Sequence, residues 1–240
     1  MAEVSSEILK GFAPNGTLRA AINQGNSVLA QKGPNGTCLG ITADLARELG
    51  KRLGVPVELV IFDAAGKAFE GLKSGACDIG FLAIEPVRAA EVDFTAPYVL
   101  IEGTYMVPKA SPLKTVDDVD RAGVRIAVNK GSAYDLYLTR TLKNATLMRG
   151  DDGVGLFKKE NLEVAGGVRQ PLNEFAKRDP SVRVMDGRFM AIQQALGMPK
   201  GRAAAHKYLL GFVEEMKASG FVADALKRSN QPDAMVAPAG

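Results

Sequence analysis

The sequence predicts an α/β protein built from two lobes, and three observations support this. Residues 16–82 alternate strand and helix patterns, which is typical of a parallel sheet with crossover helices. Residues 98–108 then alternate apolar and polar side chains over a length unusual for one strand, as expected of a strand that leaves one lobe for another. The strand–helix rhythm restarts after it, and residues 189–196 alternate again and can carry the chain back.

Composition agrees with this fold class. The chain has 240 residues, of which 46% are hydrophobic, so two lobes of roughly 100 to 120 residues can each bury a core. The net charge is +3 and the basic residues are spread along the chain, unlike the basic stripe of a nucleic-acid binder. No apolar run approaches the roughly 20 residues of a membrane span.

Cysteine and histidine usage argues against several kinds of chemistry. Cys38 and Cys77 are predicted to be small buried hydrophobes and not a disulfide, and the single histidine, His206, to be a surface or packing residue. This set leaves no zinc site and no Cys-His or Ser-His-Asp arrangement. The sequence predicts no metal and no cofactor.

In the first lobe, the clearest helix begins near Thr42, a plausible N-cap, and ends at Gly54. Glu48 and Arg52 are spaced to pair across one turn of this helix. A hairpin-type turn is predicted at residues 34–36. The strands are predicted at residues 17–22, 55–62 and 77–82, with a further helix at 67–74.

In the second lobe, Thr115 and Asp118 form a predicted capping box. The C-terminal tail, residues 230–240, is rich in proline and alanine and is predicted to be disordered. The remaining predictions are strands at 124–128, 162–165 and 182–185, and helices at 133–143, 201–219 and 221–228.

Arg88 is the first residue that could carry chemistry. It follows a buried strand, and ligands of open α/β sheets bind at the carboxyl ends of strands. A guanidinium there can hold a carboxylate through two parallel hydrogen bonds. The alternative is a surface arginine paired with Glu85 or Glu91.

Two further segments could bind an anion. Residues 129–132 include Lys130, Gly131 and Ser132 between a strand and a helix, where free backbone N–H groups, a hydroxyl and a positive helix end can meet an anion. The alternative is an ordinary turn with a serine cap. Arg169 follows two glycines after another short strand and could face a ligand or lie on the surface.

Several sequence segments together resemble one protein family. Residues 16–19 (GTLR), 40–46 (GITADLA), 53–58 (LGVPVE) and 72–79 (LKSGACDI) occur in the order found in bacterial extracellular solute-binding proteins of family 3, the amino-acid-type periplasmic binding proteins. The most specific match is residues 88–98, with its Val-Asp-Phe-Thr-x-Pro-Tyr sequence. The resemblance covers residues 16–228.

The resemblance implies a periplasmic-binding-protein type II fold. Each lobe would be a mainly parallel sheet flanked by helices, with two crossover strands, a hinge near residues 99–103 and 187–190, and a ligand cleft between the lobes. Lobe 1 would comprise residues 1–100 and 191–240, and lobe 2 residues 101–190. The protein would be a monomer that binds a small anionic solute and delivers it to an ABC transporter permease.

The resemblance also implies ligand-binding residues. Arg88 would clamp the solute carboxylate, and Ser132, with its turn, would close on it from lobe 2. The predicted set comprises Arg88, Ser132, Gly131, Lys130, Asn23, Asn26, Ala83 and Arg169.

The sequence departs from the family where amino-acid binders carry an aspartate for the ligand ammonium. Val168, or Arg169 if the register slips by one, stands there instead. A buried ammonium without a partner costs several kcal/mol. We therefore expect an anionic ligand without an α-amine, such as a small mono- or dicarboxylate held by Arg88 and Arg169.

Two alternatives remain at this point. Cyclohexadienyl and arogenate dehydratases share the fold, and Glu85 or Glu102 could serve as their general acid. The second alternative is a cytoplasmic ligand sensor, because residues 1–14 do not form an intact signal peptide. We expect the protein in the periplasm if a leader was removed, and in the cytoplasm if Met1 is the native start.

Overall fold

The computed structural model describes residues 4–240; residues 1–3, the start of the predicted first lobe, lie outside the described part. The α-helices within residues 4–240 are α1 (Ser6–Phe12), α2 (Ile41–Leu53), α3 (Ala65–Lys73), α4 (Pro86–Ala89), α5 (Ala133–Thr141), α6 (Gly153–Lys159), α7 (Arg169–Arg178), α8 (Ala203–Ala218) and α9 (Phe221–Arg228). The strands are β1 (Leu18–Asn23), β2 (Gln31–Lys32), β3 (Cys38–Leu39), β4 (Val57–Phe62), β5 (Ile79–Ala83), β6 (Val92–Phe94), β7 (Val99–Pro108), β8 (Arg125–Asn129), β9 (Thr146–Gly150), β10 (Val164–Val168), β11 (Val182–Val184), β12 (Met190–Pro199) and β13 (Met235–Val236).

The chain forms two compact units. Unit 1 comprises Met1–Leu100 and Gln193–Gly240, and unit 2 comprises Ile101–Ile192. Both boundaries fall inside the two ten-residue strands, β7 and β12. The chain therefore enters unit 2 along one long strand and leaves it along the other.

Unit 1 has a parallel sheet at its centre. Strand β1 lies between β4 and β5 and is parallel to both, and β12 runs antiparallel to β5. Every residue of β5 is buried, as expected of a parallel strand covered on both faces. Helix α3 packs on one face, where Ala68 and Leu72 meet Leu82 and Ala21.

A fully buried carboxylate fixes β1 against β5. Asp78 directly precedes β5 and is 0% exposed. Its Oδ2 accepts hydrogen bonds from the backbone N–H of Arg19 at 3.1 Å and from the Arg19 Nε at 2.9 Å. Its Oδ1 accepts from Arg19 Nη2 at 2.9 Å and from Arg202 Nη1 at 3.3 Å. One carboxylate thus joins β1, β5 and the residue that precedes α8.

Unit 2 repeats the arrangement. Strand β8 lies between β10 and β9 and is parallel to both, while β7 is antiparallel to β10. The core cluster contains Met106, Ala127, Phe157 and Leu172. The sequence analysis did not identify β9, α6 or α7.

Helix α2 begins at a different cap from the one predicted. Its N-cap is Gly40, with φ of 105°, because Thr42 lies inside the helix and its hydroxyl donates to the Leu29 carbonyl at 3.1 Å. The predicted end is confirmed: Gly54 adopts φ of 69°, a conformation that glycine reaches without steric cost. The predicted Glu48–Arg52 pair is confirmed at 2.7 Å.

The prediction of a disordered tail was wrong. Strand β13 pairs antiparallel with β7 at Leu100 and Val99, and the Ala237 N–H donates to the Tyr98 carbonyl at 3.1 Å. The proline and alanine content suggested disorder, but the tail satisfies backbone groups that β7 would otherwise leave unpaired.

The expected states of the cysteines and the histidine are confirmed. Cys38 and Cys77 are free and buried, and burial raises the pKa of the Cys77 thiol to about 11. His206 contacts the Phe94 carbonyl through Nε2 at 3.0 Å. Within residues 4–240 no helix combines the length and apolar character needed to cross a membrane, and no three potential metal ligands cluster.

Replacing Asp78 by asparagine should destabilise unit 1. The change leaves Arg19 and Arg202 without their buried counter-charge, and breaking such a pair costs about 3 kcal/mol or more. Urea unfolding measures the loss of stability in this variant. The variant Asp63→Asn is the control, because Asp63 forms an exposed pair with Lys67. Equal stability of the two variants would contradict the role assigned to Asp78.

Candidate functional site

Arg88 lies on α4, the four-residue helix that follows β5. Pro86 opens this helix, and its fixed φ suits that position. The Arg88 side chain turns back toward the strand end, where Nη1 donates to the Ala83 carbonyl at 3.1 Å. Ala83 therefore contributes a backbone acceptor that orients the guanidinium.

The environment of Arg88 excludes the alternative of a surface arginine. Arg88 is 1% exposed and Glu85 is 2% exposed. Burial lowers the pKa of Arg88 to about 10, and the negative charge of Glu85 acts in the opposite direction. The other acid considered, Glu91, lies 3.6 Å from Lys73 instead. Unit 1 thus holds a buried positive and a buried negative group at the carboxyl end of β5.

Asn23 and Asn26 lie at the carboxyl end of β1, the strand beside β5. The Asn23 Oδ1 accepts from the Gly25 N–H at 2.9 Å, and the Asn26 Oδ1 accepts from the Val28 N–H at 3.2 Å. Both side-chain oxygens thus shape the turn after β1. A surface depression of about 530 Å³ opens beside this turn, lined in part by Gln24, Phe62 and Asp63.

In unit 2, Ser132 is the N-cap of α5. Its Oγ accepts from the Asp135 N–H at 3.1 Å, and the Asp135 carboxylate accepts from the Gly131 N–H at 2.8 Å. The Ser132 N–H donates to the Asn129 carbonyl at 3.1 Å, and the exposed Lys130 donates its N–H to Gly150. The expectation of free backbone N–H groups was therefore wrong for this turn, because these donors have partners within unit 2.

Asp135 organises the turn, and the sequence analysis missed it. It is 4% exposed, and its Oδ1 lies 2.8 Å from the Arg149 Nε. Tyr134 is the neighbouring residue. Burial raises the pKa of its hydroxyl to about 12, and hydrogen bonds with the Ser132 side chain and the Asn129 backbone partly oppose this rise. The Ser-x-x-Asp spacing at the start of the helix is the sequence signal that could have identified Asp135.

Arg169 takes part in a network that the sequence did not reveal. Its Nε donates to Glu102 at 2.6 Å, its Nη1 to the Met185 carbonyl at 3.2 Å, and its Nη2 to the Gly187 carbonyl. Arg188 donates to the same carboxylate of Glu102 at 3.1 Å. Burial would raise the pKa of Glu102, but the two arginines hold it below the usual value.

The neighbouring end of β10 is apolar. Val168 is 9% exposed and is the last residue of the strand. Strands β8 and β10 are parallel neighbours, so the Ser132 turn, which follows β8, and Val168, which ends β10, lie at one edge of the unit 2 sheet. Ser132 and Arg169 thus occupy the same edge, with Arg169 committed to Glu102 and two carbonyls.

Comparison with known proteins gives a family match for the chain. A profile described as bacterial extracellular solute-binding proteins, family 3, matches residues 18–229. No curated protein sequence matches the chain.

Solved structures show the same fold. The solute receptor for L-cysteine of Neisseria gonorrhoeae has a TM-score of 0.80 at 24% identity, covering 95% of each chain. The amino acid ABC transporter substrate-binding protein AbpA from Streptococcus pneumoniae, bound to L-arginine, has a TM-score of 0.77 at 20% identity, covering 92% of this chain and 97% of that one. The ancestral amino acid-binding protein AncCDT-1, a precursor of cyclohexadienyl dehydratase, has a TM-score of 0.75 at 24% identity, covering 92% and 98%. The predicted periplasmic-binding-protein type II fold is confirmed.

Replacing Asp135 by asparagine should loosen the Ser132 turn. The variant loses the charged acceptor that holds Gly131 and Arg149, so the free energy of unfolding should fall by about 1–3 kcal/mol. Chemical denaturation measures this free energy for the Asp135 variant and for Glu174→Gln. The second variant is the control, because the pair between Glu174 and Lys177 is exposed. An Asp135 variant as stable as this control would mean that the carboxylate does not organise the turn.

Proposed function

Because this chain belongs to the bacterial extracellular solute-binding proteins of family 3, we propose that it is the binding component of an ABC-type uptake system for a small carboxylate-bearing solute, amino-acid-like or an organic acid. The observation that carries the proposal is the buried guanidinium of Arg88 at the carboxyl end of β5. Family membership favours a site of action outside the cytoplasmic membrane.

A buried arginine suits carboxylate capture. Its planar fork matches the two oxygens of a carboxylate, and its weak hydration makes it the cation least costly to keep out of water. The Nη1 hydrogen bond to the Ala83 carbonyl fixes the orientation of the guanidinium, which has five N–H donors in all. Preorganisation of this kind reduces the entropy lost on binding.

In this proposal, Ser132 supplies the contact from unit 2. Its Oγ accepts a hydrogen bond from the Asp135 N–H, which positions the hydroxyl at the start of α5. Closure would bend the chain near residues 99–103 and 187–190, as is common for hinge-closing binding proteins. The proposal is supported by the unit boundaries, which fall in β7 and β12.

The alternatives have less support. A dehydratase needs a general acid that keeps its proton near neutral pH, and the lowered pKa of Glu102 argues against that residue. AncCDT-1 is described as an amino acid-binding protein, and the other two similar structures are a receptor and a substrate-binding protein. A ligand sensor would use the same Arg88 site, so it differs only in its partner.

Arg88→Ala should abolish most solute binding. Truncating one partner of a buried charge pair costs about 2–5 kcal/mol, which is a loss of roughly 30-fold or more in affinity. A thermal-shift screen of the wild type against amino acids and small carboxylates identifies a ligand, and calorimetry then compares the variants. Arg183→Ala is a control, because Arg183 binds backbone carbonyls of Ser111 and Leu113 elsewhere in unit 2. Unchanged affinity in Arg88→Ala would remove Arg88 from the site.

Ser132→Ala should weaken binding less than Arg88→Ala. It removes one neutral hydrogen bond of about 0.5–1.5 kcal/mol and leaves the charged contact in place. Calorimetry with the solute found in the screen measures the difference, and circular dichroism verifies that α5 still forms without its cap. A loss as large as that of Arg88→Ala would contradict this ranking.

A further inference from the structure

We propose that unit 2 carries a further binding site, near the C-terminal end of α5, for the ammonium group of a small organic amine. The site is a surface cavity of about 310 Å³, which we call the amine pocket. Its lining includes three aromatic rings and two carboxylates, those of Tyr105, Tyr137, Phe189, Asp117 and Asp120. All of these residues belong to unit 2, and none belongs to the predicted solute-binding set.

The three rings of the amine pocket form one cluster. The Phe189 ring centroid lies 4.4 Å from that of Tyr105 and 6.0 Å from that of Tyr137, with which it is stacked. The faces of aromatic rings carry partial negative charge and attract cations. The Arg140 guanidinium already lies 5.2 Å from the Tyr137 ring centroid. The cluster therefore favours a cation with an apolar chain over an anion.

Two carboxylates add negative charge to the pocket. Asp117 is exposed, and its side chain forms no ion pair or hydrogen bond within residues 4–240. Asp120 accepts backbone N–H groups of Asn144 and Ala145, at 2.8 and 2.9 Å. These hydrogen bonds hold the pKa of Asp120 below its usual value, so it stays ionised at neutral pH. The pocket thus presents acceptors that suit an ammonium group.

The Tyr105 hydroxyl indicates a ligand that donates hydrogen bonds. Tyr105 lines the cavity but is only 2% exposed, and its hydroxyl has no hydrogen-bond partner in the described part of the chain. Burial raises the pKa of Tyr105, and the negative charge of Asp120 raises it further, so the hydroxyl is neutral. A secluded polar group without a partner is unfavourable. An N–H donor in the cavity would satisfy this oxygen.

The arginines around the cavity are engaged elsewhere. Arg188 also lines it, but its Nη1 donates to the Glu102 carboxylate at 3.1 Å. Arg140 lies over the ring of Tyr137. Neither forms a printed-length ion pair with Asp117, whose charge is left for a ligand. A primary ammonium has three N–H donors, which match the two carboxylates and the Tyr105 hydroxyl.

Three probes of similar size test the inference on the wild-type protein. Butylammonium has a charge and N–H donors, tetramethylammonium has the charge alone, and 1-butanol has neither the charge nor an ammonium. Calorimetry at low ionic strength should show butylammonium binding roughly 10-fold more tightly than either of the others. Equal binding of the three probes overturns the inference.

Nuclear magnetic resonance locates the bound probe. The backbone amide signals of Thr141 and Leu142, which line the cavity, should shift as butylammonium is added. The shifts should saturate at the dissociation constant that calorimetry gives. Saturable shifts confined to other parts of the chain would place the amine elsewhere and overturn the inference.

Two variants test the residues of the pocket. Tyr105→Phe removes only the hydroxyl, so affinity for butylammonium should fall roughly fivefold while that for tetramethylammonium stays the same. Asp117→Asn should weaken binding of both cations by a similar factor. Asp151→Asn is the matched control, since Asp151 is an exposed aspartate of unit 2 whose side chain has no partner within residues 4–240. Unchanged butylammonium affinity in Asp117→Asn overturns the assignment.

The amine pocket is separable from the proposed function. Butylammonium carries no carboxylate, so its binding does not require Arg88. Asp117→Asn should keep the affinity of the wild type for the carboxylate solute found in the thermal-shift screen. If this variant loses both ligands, the substitution acts through the fold and the amine pocket is rejected. If it loses only the amine, the two sites are distinct.

Discussion

Charge that is removed from water needs an opposite charge or several hydrogen bonds, and this constraint governs both units of the protein. Asp78 meets it with two arginines and thereby fixes β1 beside β5. The alignment of these strands brings their carboxyl ends, and hence Arg88, to one edge of the sheet. The position of the proposed ligand contact thus depends on an ion pair at the opposite end of β5.

The two units use the same strand–turn–helix geometry in different ways. In unit 1 a four-residue helix places Glu85 and Arg88 at the strand end, so the edge carries both signs of charge. In unit 2 the turn contains a serine cap held by Asp135, so the edge offers a neutral hydroxyl. In the proposed function, unit 1 therefore recognises the solute by charge and unit 2 by a neutral hydrogen bond.

The sequence predicted the parts of this molecule that have local signatures. Strand–helix periodicity located most elements of unit 1, and the segment around Arg88 indicated a family and a carboxylate contact. Glu85 was considered only as a surface partner or an acid, because burial depends on neighbours distant in sequence. The network of Arg169 with Glu102 spans 67 residues, and the tail pairs with a strand more than a hundred residues earlier, so neither leaves a local pattern.

Burial of Arg88 explains why a carboxylate suits the proposed site. Arg88 is 1% exposed, so its guanidinium lies out of water and gains most from an opposite charge beside it. In the proposed function the solute supplies that charge through its carboxylate, whose two oxygens match the planar fork of the guanidinium. The proposed contact therefore follows from the same constraint on buried charge that fixes β1 beside β5.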